Sequence, residues 1–177
     1  TIAGLIGAGA SGSLGGLTIE GNQIALAGIG STTQFGVIGS TLVTAANAGS
    51  VTGAISFTGT TYRTDGTQTY DASGTNALTL NGGINGSLTS FTTLDDAVTF
   101  NGSFNINLRN LAVDTTNAVV SAPVGANINF NGTVSGSAGL SLTAGNAGNV
   151  NFAQNVGSGQ ALTGVVINSS AAINSQA

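Results

Sequence analysis

The side chains here that could do chemistry are few, and most of them are carboxylates. Asp95-Asp96 is the one adjacent acidic pair; Asp65, Asp71, Asp114 and Glu20 are the other acids. Hydrolysis of a glycoside needs two carboxylates at a set separation, one of them poised as an acid. Asp95-Asp96, with Asp71 or Asp114 as the partner, is the set that could supply them. The competing reading is a solvated loop pair ahead of a strand at Ala97–Phe100. Oxygen ligands from Asp95, Asp96 and Asp114 would suit calcium. Neither the G-G-x-G-x-D calcium repeat nor an EF-hand loop accompanies them. With no His, Cys, Met or Trp, and with Arg63 and Arg109 as the only basic residues, histidine bases, thiol nucleophiles, zinc sites and disulfides are excluded. Two arginines and a net charge of −4 cannot neutralise a phosphate track, so no nucleic-acid partner is expected.

Other patterns are weaker. Gly7-Ala8-Gly9-Ala10-Ser11-Gly12 matches the dinucleotide-binding G-x-G-x-x-G. That fingerprint needs a helix directly after it, and Ser13-Leu14-Gly15-Gly16 cannot sustain one. Thr67-Gln68-Thr69 resembles one rung of an ice-binding ladder but stands alone. Four N-x-S/T sequons start at Asn85, Asn101, Asn131 and Asn168; in a chain this rich in Asn and Ser they read as incidental. Tyr62, Tyr70 and Phe91, with Arg63, could form a contact patch if their segment loops outward; a hairpin covering the core is the equal alternative. No catalytic, cofactor-binding or metal-binding residue is assigned from the sequence.

The elements that would carry these side chains are strands. About half of the 177 residues are Gly, Thr, Asn or Ser, yet disorder joins low hydrophobicity to high charge, and the mean hydropathy here is +0.34. An apolar-x-apolar pair followed by a polar residue and usually glycine recurs as Ile55-Ser56-Phe57, Leu78-Thr79-Leu80, Val98-Thr99-Phe100, Ile128-Asn129-Phe130 and Val150-Asn151-Phe152. Counting from Phe35, the second apolar positions fall at 35, 57, 80, 100, 130 and 152, so the successive steps are 22, 23, 20, 30 and 22. Apolar and polar residues alternate within each copy, which is strand periodicity. A step near 22 is the size of one β-solenoid coil. The expected fold is therefore all-β, a parallel β-helix (β-solenoid) of about eight coils on that step. An antiparallel β-sandwich is the alternative. Asn-Gly pairs such as Asn101-Gly102 and Asn131-Gly132 are expected to supply positive-φ corners. Residues 1–16 read as a Gly-rich N-terminal arm or edge segment able to pair with a neighbour's strand. Residues 17–177 read as one solenoid domain with candidate insertions near 61–71 and 109–125. The stretch from Thr1 to Ile19 has no charged side chain and holds six glycines, too many for a good spanning helix.

The segments 54–83 and 127–174 resemble repeats of filamentous-haemagglutinin-like and autotransporter-type bacterial surface adhesins, of the form V-x-F-x-G-x-V…L-x-L-T-A-G-x-G-x-V. The resemblance covers roughly residues 50–177. It implies a right-handed parallel β-helix, secretion, and adhesion or fibre formation. No secretion domain, translocator barrel or wall anchor accompanies the repeats. The function expected on this basis is a non-enzymatic extracellular structural or adhesive protein, a subunit or segment of a bacterial surface filament. Its partners would be further copies through strand edges, and a glycan or surface receptor. A carbohydrate-binding or glycan-cleaving β-helix is the alternative.

Overall fold

A computed structural model of the chain describes residues 1–9, 12–45, 53–73, 77–81, 87–116 and 124–176. Among them are 17 strands and no helix. The first six are β1 (Leu17–Gly21), β2 (Gln23–Leu26), β3 (Thr41–Ala45), β4 (Ala54–Phe57), β5 (Thr61–Arg63) and β6 (Gln68–Ala72). Next come β7 (Leu78–Leu80), β8 (Leu88–Thr92), β9 (Val98–Asn101), β10 (Phe104–Asn105), β11 (Asn110–Asp114) and β12 (Ile128–Phe130). The last are β13 (Val134–Ser135), β14 (Gly139–Thr143), β15 (Asn149–Phe152), β16 (Gly164–Ser169) and β17 (Ala172–Ser175).

These strands stack on three faces. The first face is β1-β3-β6-β9-β12-β15-β17, the second β2-β4-β7-β10-β13, and the third β5-β8-β11-β14-β16. Every strand pair is parallel. The chain visits the faces in rotation, so the fold is a β-solenoid and the antiparallel sandwich is excluded.

On average the coils are longer than the step near 22 suggests. Along the first face Leu17, Thr41, Gln68, Val98, Ile128, Val150 and Ile173 lie in register, with steps of 24, 27, 30, 30, 22 and 23 along the sequence. These six steps average 26 residues, longer than the step near 22 on which eight coils are expected. The discrepancy has a structural cause. Phe57 and Leu80 pair on the second face, whereas Phe100, Phe130 and Phe152 pair on the first. The apolar-x-apolar-x-Gly signature marks any short strand that ends at a corner, and a three-sided coil writes it on more than one side. The interval from Leu80 to Phe100 is therefore a passage between faces.

Two expected insertions belong largely to the rod itself. Residues 61–71 form β5, a bend and most of β6, with Tyr62 and Tyr70 fully buried. Within 109–125, Asn110–Asp114 is β11, paired on both edges, while 117–123 lie outside the described residues. The expected N-terminal arm also winds onto the rod. Ile2, Ile6 and Leu14 make parallel bridges to Leu26, Ile29 and Val37.

Inward residues stack in rows with their equivalents one coil away. On the first face Tyr70, Phe100, Phe130 and Phe152 form a ladder of near-parallel rings 5.7, 5.1 and 5.3 Å apart. Tyr62 and Phe91 stack at 4.6 Å on the third face, and Phe57 meets both edge-on from the second. Each such pair adds roughly 0.5–1.5 kcal/mol beyond the area it buries. The corners need residues without side chains. Gly102 has φ 132°, and a Cβ on Gly132 would lie 2.2 Å from the Gly102 backbone. Gly102 thus supplies the expected positive φ, but Gly132 is required by close approach.

Candidate functional site

Asp95 and Asp96 lie at the corner leading from β8 to β9, where three coils meet. Asp95 sits at φ 61°, a strained backbone for a residue with a side chain. Its Oδ1 accepts from the Gly125 N–H (2.8 Å) one coil away, and its own N–H donates to the Thr115 carbonyl (3.1 Å). The Leu94 N–H donates to the Asp65 carbonyl (3.0 Å), and the Thr93 hydroxyl donates to the Asp96 carbonyl. Partial burial, then the neighbouring Asp65 and Asp95, push the Asp96 carboxyl above its ordinary value. The proposed partners stand elsewhere. Asp114 ends β11, where its Oδ1 accepts from the Thr116 N–H (2.9 Å) and hydroxyl (2.7 Å). Asp71 is exposed toward the far end of β6. The described bonds of Asp95 and Asp114 hold corners together. Among the described residues, no group of three or more acidic side chains is placed to hold a metal ion.

The Gly7–Gly12 stretch leads into the Leu14 bridge rather than a helix, and Ala10 and Ser11 lie outside the described residues. In Thr67-Gln68-Thr69 the middle residue points inward and is fully buried. Gln68 Nε2 donates to the Tyr62 carbonyl (3.0 Å), Thr64 Oγ1 (3.1 Å) and the Thr92 carbonyl (3.0 Å), while its Oε1 accepts from the Tyr70 hydroxyl (2.9 Å). Tyr62 and Tyr70 therefore form no outward patch. Of the nine aromatic side chains, eight are buried; the ninth, Phe35, is half-buried beneath the Arg63 guanidinium, 4.5 Å from its ring centre. That leaves no exposed aromatic platform on which a sugar ring could stack.

One feature escaped the sequence: Arg109, which is 0 % exposed. Its Nη1 donates to the Gly59 carbonyl (2.6 Å), and Nη2 donates to the carbonyls of Phe57 (2.6 Å) and Asn81 (3.2 Å). Burial lowers its pKa, and the nearby Tyr62 opposes that. The guanidinium clips three successive coils at one corner. Leu108, at φ 68°, makes the turn that aims it inward, closed by the Arg109 N–H on the Asn107 carbonyl (2.8 Å). Nothing in the spacing of a lone Arg in a polar stretch announces this.

In the last described coil, apolar residues of the inward rows are exposed. Val156, Val165 and Ile173 occupy inward rows, one on each face, yet are 38, 43 and 56 % exposed. Their equivalents one coil earlier, Val134, Leu140 and Val150, are buried. A cleft of about 580 Å³ opens beside β17, lined by Asn151, Phe152, Ile173, Asn174 and Ser175 among others. On the outer surface an amide row runs to this end. Asn129 Nδ2 donates to Thr99 Oγ1 (3.0 Å), Asn151 Nδ2 to Asn129 Oδ1 (2.7 Å), and Asn174 Nδ2 to Asn151 Oδ1 (2.7 Å). The sequons at Asn101 and Asn131 join a neighbouring row through Asn131 Nδ2 and Asn101 Oδ1 (2.6 Å), and Asn168 Nδ2 donates to Ser141 and Thr143; Asn85 lies outside the described residues. A comparison with protein-family models, curated proteins and solved structures finds no match.

Proposed function

We propose that this chain is a non-enzymatic structural or adhesive rod, a subunit or segment of an extracellular bacterial surface fibre that assembles through its strand edges. The parallel β-solenoid, whose repeats resemble those of bacterial surface adhesins, carries this reading. With eight charged side chains in 177 residues, little repulsion opposes contact between rods. A body without cysteine or lysine suits export, and the adhesin-like repeats favour the cell surface. The test is electron microscopy of the purified chain over a concentration series. Regular fibres one rod wide are expected; a protein that stays monomeric at high concentration by light scattering would overturn the reading.

A further inference from the structure

We propose that the third face pairs with the same face of a second copy of this chain, the two rods lying side by side and antiparallel about a two-fold axis along β8. Such pairing concerns the side of the rod and does not depend on fibre formation. In the stack, β8 has β5 on one side and β11 on the other, and alternate residues of these strands point outward. In one outward row Arg63, Thr92 and Asp114 follow each other coil by coil. No other charged side chain lies on the outward rows of this face. Glu20 and Asp71 belong to the first face, Asp65, Asp95 and Asp96 to the corners that follow β5 and β8, and Arg109 is buried. Arg63 and Asp114 are two strand steps apart, about 10 Å, too far to pair with each other within one rod. Rotation about β8 carries Arg63 of one copy over Asp114 of the other and Asp114 over Arg63, so that each contact forms two ion pairs.

The exposed apolar residues obey the same symmetry. A second outward row runs through Thr61, Ser90, Ala112, Ser141 and Val166. Leu5 and Gly28 extend it on the other side: Ile6 bridges Ile29, Ile29 bridges Tyr62, and a Cβ on Gly28 would lie 2.7 Å from Leu5 Cδ2. Leu5 and Val166, 55 and 56 % exposed, therefore stand three coils to either side of Ser90. The rotation that sets Arg63 on Asp114 also sets Leu5 of each copy on Val166 of the other. Leu88, 53 % exposed, is on the axis strand and meets the same residue of the second copy. The contact is isologous and closes on two copies. Seven strand levels by three outward positions cover roughly 34 by 14 Å, about 1,000 Å² over both copies, which is the low end for a specific interface. Pairing is accordingly expected at high protein concentration, where fibres one rod wide would associate in twos.

Cross-linking tests the pairing in a chain that has no cysteine of its own. L88C places one thiol on the axis, and a short bismaleimide joins two such thiols across sheets about 10 Å apart. N131C, exposed at the end of β12 on another face, measures chance collision. L88C should give several-fold more cross-linked dimer than N131C at the same concentration. Adding R63D or D114R to L88C should lower the yield about tenfold, because like charges then face each other. An equimolar mixture of those two double variants should restore it, since opposite charges meet at both positions, and D71R on the first face should leave it unchanged. Circular dichroism checks folding. Where R63D, which forfeits the Thr32 bond and the Phe35 contact, does not fold, D114R and the loss of L88C dimer in about 1 M salt decide instead. An L88C yield no higher than that of N131C, or one indifferent to D114R, would overturn the pairing. A dimer lost in both charge variants and not restored by mixing them would overturn the antiparallel register. Each of these results leaves the fibre reading standing, which microscopy of the unmodified chain decides.

Discussion

Arg109 ties successive coils together through one buried side chain. Its guanidinium donates to three carbonyls of earlier coils and fills the corner beside Tyr62. Truncation removes three bonds from a charged donor and leaves a cavity where the side chain was. Arg109→Ala should therefore lose about 3–5 kcal/mol of stability, measured as a shift of the urea midpoint. Arg109→Lys should recover little of it, because an ammonium cannot reproduce the fork. Asp96 gives a second expectation. Its carboxyl is raised in the folded rod by burial and by Asp65 and Asp95, so folding favours the protonated form. That stabilisation is complete below the ordinary carboxylate pKa and is lost as pH rises through the raised value. Asp96→Asn should accordingly gain thermal stability relative to the unmodified chain on going from pH 3 to pH 7. Equal differences at both pH values would mean that the carboxyl is not perturbed by folding. Neither role could be read from the sequence. Asp95-Asp96 invites comparison with a catalytic pair, but its surroundings are backbone groups of the adjoining coils.

At the scale of the strand, the aromatic ladder and the glycine corners explain why coils of unequal length still stack. A stacking row needs only one ring per coil at the same height. The long coil from Val98 to Ile128 and the short one from Ile128 to Val150 therefore share one ladder. Phe130 lies between Phe100 and Phe152 in it. Phe130→Ala should cost about 3–5 kcal/mol in denaturant unfolding, and Phe130→Leu distinctly less. A cost below about 1 kcal/mol for the alanine variant would show that the rings do not hold the coils together. This is also where the sequence is most and least legible. Alternation in Ile128-Asn129-Phe130 and Val150-Asn151-Phe152 identifies real strands, and their spacing is a true coil. The same signature at Phe57 and Leu80 belongs to another face, because strand periodicity carries no label for which side of a coil it occupies. The polar segment around Tyr62 and Tyr70 reads equally as an outward loop or as a hairpin over the core; their hydroxyls are satisfied inside, by the Leu26 carbonyl (2.6 Å) and by Gln68 (2.9 Å).

For the whole molecule, the sparse chemistry of the chain acquires a consistent meaning. Parallel coils stack along one axis, and with eight charged side chains in 177 residues little repulsion opposes contact between rods. In a fibre built along the rod axis the strands lie across that axis, and the coil spacing runs along it. X-ray diffraction from oriented fibres of the purified chain tests this arrangement most directly. A strong reflection at about 4.8 Å on the meridian, parallel to the fibre axis, is the result expected of rods lying along the fibre. The same spacing on the equator would mean that the rods lie across the fibre, and would contradict a fibre built along the rod axis.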